Sequence, residues 1–259
     1  MNKYKKYKFV FEAAKKFLKD IMTSHNMCDS ILKTHMQHEQ KFDNLFDAHR
    51  RLIISLQNRG MMPNVIQFEK KEKEIKPILF GYNSNKILSS YKNADELLEK
   101  FNKLKLFPPT SIKSWRQFSE GIISGSNFMA SFKDKDDFND FIKTFARNKY
   151  TKAALPMLLS KEIKGFGFAL ACDFLKELGY RDYPKPDVML IDIFYGLGLS
   201  KSKEQYDVYK SIVEMSEAVG EDAYTVDKIF WLIGSGKLVG NKSIGRNRDK
   251  FIKTIKTKL

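Results

Sequence analysis

Apolar residues in this chain recur with the period of an α-helix almost from end to end. Phe11, Ala14, Phe17, Leu18 and Ile21 share one face of a 3.6-residue spiral, with lysines on the other. Leu45, Ala48, Leu52, Ile53 and Leu56 repeat the pattern up to Arg59-Gly60, a natural helix stop. Further helices are predicted over 95–106, capped by Asn93 or Asp95 and stopped by Pro108-Pro109, and over 114–123, 136–148, 152–159, 188–197, 203–219 and 225–233. Alternation of period two is nearly absent, and 65–68 and 78–80 are the only strand candidates. A chain patterned this way buries its apolar stripes helix on helix, so the fold class is all-α. No repeat or low-complexity linker divides it, although weak seams fall at 82–85 and 125–127.

One segment departs from plain helix. Ile163-Lys164-Gly165-Phe166-Gly167 lies between two apolar-periodic stretches, the second running from Phe168 to about Leu178. Two glycines one residue apart let the backbone turn tightly and approach a neighbouring molecule closely. The unpaired amides and positive dipole end of the second helix suit a phosphate oxygen. Downstream, Pro184-Lys185-Pro186-Asp187 brings a carboxylate to the start of the next helix, where it reads equally well as an N-cap.

The formal charge of +15 over 259 residues calls for an anionic partner, nucleic acid first, because neutralising phosphates releases counterions. A lysine-rich background composition would give the same charge without that partner. The 21 Phe and 11 Tyr leave rings to spare for stacking on bases. Cys28 and Cys172 are too far apart for a disulfide framework and lack the C-x2-C spacing of zinc or iron–sulfur sites. His25, His35, His38 and His49 cluster early; His35 and His38 share a helix face but no third ligand follows. Phe9-Val10-Phe11 is cut short by Glu12 and lysines, which argues against a signal peptide or membrane span and for a cytoplasmic location. The tail from Lys237 carries Lys242, Arg246, Arg248, Lys250, Lys253, Lys256 and Lys258, with Phe251, Ile252 and Ile255 expected to dock inward.

Residues 159–188 resemble the helix-hairpin-helix DNA glycosylases, whose signature is this hairpin followed by a Gly/Pro-rich loop and an essential Asp. Asp187 lies eighteen residues beyond Ala169, which fits that family's register. The resemblance implies two helical lobes with a cleft between them: 1–110 with 200–259 as one lobe, and 111–199, holding hairpin 163–168 and Asp187, as the other. It implies that Asp187 stabilises the oxocarbenium-like sugar as the N-glycosidic bond breaks, and orients or deprotonates a water. Members that also cut the strand have a lysine two residues after the second hairpin glycine. Here that residue is Ala169, so a monofunctional enzyme leaving an abasic site is expected, unless nearby Lys164 or Lys185 substitutes.

DNA contacts are expected at Lys164, Gly165, Phe166, Gly167 and Phe168. They are also expected at Asn58 and Arg59, in the wedge-like loop 57–64. Phe168, Ala169, Cys172 and Asp173 would line the pocket for the flipped base, as in the 8-oxoguanine branch, although Asp173 also reads as a structural carboxylate paired with Lys176 or a neighbouring helix. Met189 stands where a histidine often follows the acid. Trp115 and Trp231 read as core. No cofactor is required; the carbonyls of Lys161, Ile163 and Phe166 are candidates for a structural K⁺ or Na⁺. The partner is double-stranded DNA and the chain is expected to act as a monomer. Two other readings remain open: a glycosylase against modified bases of foreign DNA, such as hypermodified cytosine, and a non-catalytic hairpin module that only binds DNA.

Overall fold

The helices begin where short polar side chains can satisfy first-turn amides. In the computed structural model, which describes residues 2–37, 42–60 and 62–259, Asn2, Asn44, Asn93, Asp134, Asp187 and Asp222 each accept a bond from the backbone of the helix that follows. In chain order the helices are α1 (Lys3–Ser24), α2 (Asp29–Met36), α3 (Leu45–Gln57), α4 (Met62–Ile66), α5 (Phe68–Ile78), α6 (Ser84–Ser90), α7 (Ala94–Lys103) and α8 (Ile112–Ala130). They continue as α9 (Lys135–Thr144), α10 (Lys149–Glu162), α11 (Phe168–Glu177), α12 (Val188–Gly196), α13 (Gln205–Val219), α14 (Ala223–Ser235) and α15 (Arg248–Lys256). Three short 3₁₀ turns complete the set, and the described residues contain no strand, only an isolated bridge between Lys237 and Ser243. None of these helices is long and apolar enough to cross a membrane.

Both strand candidates are helical. Residues 65–68 join α4 to α5, and 78–80 end α5 and enter a 3₁₀ turn. Burial of Phe68, Ile75 and Ile78 on one side of α5 outweighs their local strand propensity. The seam expected at 125–127 is instead the interior of α8, which runs nineteen residues without a break. Its glycines are there for packing. A methyl added at Gly121 would lie 2.6 Å from Leu56 Cδ2, and one at Gly125 2.6 Å from Leu52 Cδ2, so α3 crosses α8 at the closest approach that bare glycine allows.

The chain divides into two units: 1–40, 148–153 and 179–259 form one, and 41–147 with 154–178 the other. Asp187 therefore belongs to the first unit and the hairpin to the second. The first unit is built on α1, whose Tyr7, Val10, Phe11, Ala14 and Leu18 join Phe194 of α12, Ile212 of α13 and Phe230 of α14 in one core. The tail docks as expected. Phe251 is fully buried, edge-on to Phe17 at 5.1 Å and to Phe230 at 6.0 Å, while Lys250, Lys253 and Lys256 face outward. Each large apolar side chain so buried contributes about 2 kcal/mol.

The second unit is organised around α8, against which α3, α6 and α7 pack. Trp115 is core, stacked on Phe107 at 4.9 Å and edge-on to Phe101 at 5.1 Å; Trp231, in the first unit, is only partly buried. His49 is sealed between α3 and α8, with Nδ1 2.9 Å from the Tyr82 carbonyl and Nε2 3.3 Å from Ser126 Oγ. Burial pushes its pKa down to about 4, only partly offset by the Tyr82 carbonyl.

Candidate functional site

The hairpin joins α10 to α11 within the second unit. Ile163 is buried, the Phe166 amide donates to the Ile163 carbonyl at 3.1 Å, and Gly165 takes φ +90°, a conformation that side-chain-bearing residues avoid. Phe166 is 6% exposed, its ring 5.9 Å from that of Phe174, so only its backbone is available to a partner. Gly167 caps α11 in extended conformation, with no atom within 4 Å of where a Cβ would stand. Its carbonyl accepts from Leu170 and Ala171, each at 3.0 Å. The amides of Gly165, Gly167 and Ala169 donate to no described group. The second unit thus presents three unclaimed donors beside an open glycine, at the positive end of a ten-residue helix.

Helix α8 braces this turn. Ser124 Oγ accepts from the Lys164 amide at 2.9 Å, and one turn earlier Gly121 makes room for the Lys164 carbonyl, which would lie 2.9 Å from a methyl there. The loop after α3 reaches the same place, with Arg59 Nη1 4.0 Å from the Cβ position of Gly165. Asn58, which ends α3, is exposed, as are Arg59, Lys161 and Lys164. Two groups of expected DNA contacts, one hundred residues apart in sequence, are therefore neighbours. Met61, in the expected wedge loop, and His38 lie outside the described residues.

The expected pocket residues separate by burial. Phe168 and Ala169 keep exposed surface, whereas Cys172 is fully buried and Asp173 is 7% exposed. Arg51 of α3 lies 4.0 Å from the Asp173 carboxylate and 3.9 Å from that of Glu177, at a cavity of about 320 Å³ that Asp47 and Arg50 also line. Asp173 is thus partnered from the neighbouring helix, the structural alternative open to it from sequence.

In the first unit, Asp187 caps α12. Its Oδ1 accepts from the Met189 and Leu190 amides at 2.9 and 3.1 Å. The preceding loop is tied down: Pro184 and Pro186 are buried, the Asp187 amide donates to the Lys185 carbonyl at 2.8 Å, and the Lys185 amide donates to Asp227 Oδ2 at 2.6 Å. Asp227 sits on α14, 1% exposed. Met189 fills the space that Gly234 leaves on the same helix, where an added methyl would be 2.7 Å from Met189 Cβ. Asp227 was missed from sequence. The available signal was its register, a carboxylate on the same helix face as Ala223, Val226 and Phe230.

A second charged cluster in the first unit also escaped the sequence reading. Glu214 of α13 is paired with Lys3 and Lys149 and accepts from Tyr7 OH at 3.1 Å, while Asp207 takes Ser202 Oγ at 2.7 Å and Lys210 Nζ at 3.2 Å. Burial alone would raise the pKa of Glu214, but the bonds from Lys149 and Lys3 hold it below the usual carboxylate range. These pairs fasten the starts of α1 and α10 to α13.

Comparisons of the chain with protein-family models, with curated proteins and with solved structures give no match.

Proposed function

We propose that this protein is a monofunctional DNA N-glycosylase, which extrudes a damaged or modified base and hydrolyses its glycosidic bond to leave an abasic site. The observation that carries the reading is the hairpin with its three unclaimed amides, the open Gly167 and the cationic side chains of Arg59 and Lys164 beside it. Amides aimed outward from a helix start accept a backbone phosphate without a side chain, and the flanking cations add sequence-independent attraction. The chemistry is assigned to Asp187 of the first unit. A fixed carboxylate beside the sugar stabilises the positive charge that develops as the base departs, and it orients or deprotonates the attacking water. The N-cap bonds and the Asp227 anchor hold that carboxylate to one orientation.

Ala169 offers no amine to attack the sugar, so strand cleavage by a Schiff base is not expected. A monovalent cation at the hairpin is part of the proposal, since the carbonyls of Lys161 and Phe166 accept no bond from described residues and Ile163 O accepts one. It would stiffen the turn, and no chemical step depends on it.

A second reading is favoured by one observation. Asp187 has a structural role as the cap of α12, which is compatible with a chain that binds DNA through the hairpin without cutting any bond. One experiment decides between them. The protein is incubated with duplexes bearing a panel of damaged and naturally modified bases, the released base is identified by mass, and alkali treatment reveals abasic sites. The expected result is base release by the native chain, none by Asp187→Asn, and equal DNA binding by both. Unchanged release by Asp187→Asn overturns the assignment of the acid. Binding without release from any duplex leaves the hairpin module as the function.

A further inference from the structure

Far from the hairpin in sequence, the second unit holds a cavity of about 550 Å³, within the range of small-molecule sites. Pro77, Ile78, Phe80, Tyr91, Leu104 and Leu106 line its apolar surface. Left-handed backbone occurs at Phe80, which lines the hollow, and at residues beside it. Phe80, Gly81 and Tyr82 have φ of 49°, 63° and 70° in succession, and Lys105, between the two leucines, has φ 53°. Bulky residues occupy this region only at a cost, which surrounding structure must offset.

For Tyr82 the compensation is evident. It is 3% exposed, its hydroxyl donates to Glu72 at 2.7 Å, and its carbonyl meets His49. Phe80 has no such return. The residue is 40% exposed, its ring 6.2 Å from that of Tyr91 and tilted to it, and Leu104 of the same hollow is 52% exposed. Strained backbone therefore holds an aromatic ring out of the core, over an apolar hollow. Lys100 lines the same hollow and makes no ion pair among the described residues; Glu74 is the single carboxylate there.

The geometry points to a binding site for a planar aromatic anion, its ring system against the exposed Phe80 ring and its negative group at Lys100. Stacking on Phe80, with Tyr91 tilted beside it, gives the affinity and the ammonium of Lys100 gives the sign selection, while Glu74 disfavours a ligand with a second negative group. The assignment rests on the cavity alone and does not depend on base excision.

Anilinonaphthalene sulfonate, a planar aromatic monoanion, is the probe. Its fluorescence on titration into the full chain should report one saturable site. Phe80→Asn removes the ring while placing at φ 49° a residue that tolerates it. It should weaken binding about tenfold, the usual worth of one stacked ring, and leave the melting temperature unchanged or higher. Lys100→Gln should weaken binding about threefold at low salt, with the difference closing as salt is raised. Equal binding by the native chain and Phe80→Asn overturns the proposal. So does a Phe80→Asn chain that melts more than about 3 °C lower, since Phe80 would then serve the fold.

Discussion

Replacing Gly121 with Ala tests how the hairpin is held in place. The new methyl would stand 2.6 and 2.9 Å from the Leu56 methyls and 2.9 Å from the Lys164 carbonyl oxygen. The Leu56 methyls end a flexible side chain and can give way. The carbonyl cannot move without the hairpin, because the Lys164 amide is bonded to Ser124, one turn further along the same helix. Alanine gains about 1 kcal/mol over glycine inside a helix, whereas overpacking a filled contact costs about 1–3 kcal/mol. The net expectation is a loss between zero and about 2 kcal/mol, or a fall of about 3 °C in melting temperature per kcal/mol for a chain of this size. Gly125→Ala is the internal control, because its methyl meets only the side chain of Leu52. It should be close to neutral. Thermal melting and amide hydrogen exchange report both effects, with exchange at Lys164 accelerated in Gly121→Ala alone. Identical melting and identical Lys164 exchange in the two variants would refute the bracing of the hairpin by α8.

Other outcomes follow from single contacts. His49 titrates near pH 6.5 when unfolded but only at about 4 in the fold, so the unfolded chain binds the extra proton first and stability falls as pH drops from 6.5 toward 4. The full loss is about 3 kcal/mol, and urea denaturation at pH 7 and pH 4.5 should show a smaller drop for His49→Gln than for the native chain. Asp227→Ala leaves the Lys185 amide without its acceptor and should cost about 1–3 kcal/mol; Asp227→Asn keeps an oxygen there and should cost less by the same denaturant assay. If the hairpin grips phosphate as proposed, Arg59→Gln should weaken binding to all duplexes alike and lower the slope of log affinity against log salt by about one, measured by fluorescence anisotropy.

Much of this molecule is local and was legible as such. The helical period located α10, α12, α13 and α14 to within a few residues but stopped α8 seven residues short and missed α5, and Asn93 and Asp187 cap the helices that follow them because short polar side chains satisfy amides only two or three residues away. The glycine turn between α10 and α11 was readable for the same reason, since its conformation depends on Gly165 at φ +90° and on the helix start that follows. Glycine misled where its purpose was tertiary. The run around Gly125 resembled a break, yet it is the surface on which Leu52 rests. The strand candidates failed similarly, because burial of Phe68 and Ile75 on a common helix face decided their conformation.

The predominance of helix, most helix starts, and where a backbone turn can offer amides to an anion were set by residues within a turn or two of one another, so the sequence by itself determined them. Tertiary structure alone decided that Arg59 stands beside Gly165, that Asp227 anchors the loop before Asp187, that Cys172 and Asp173 are buried, and that Glu214 gathers Lys3 and Lys149. Each of these joins groups tens to hundreds of residues apart, or depends on which neighbours cover a side chain. Local propensity carries no information about such encounters; they exist only once the apolar stripes have chosen their partners and brought the polar groups along.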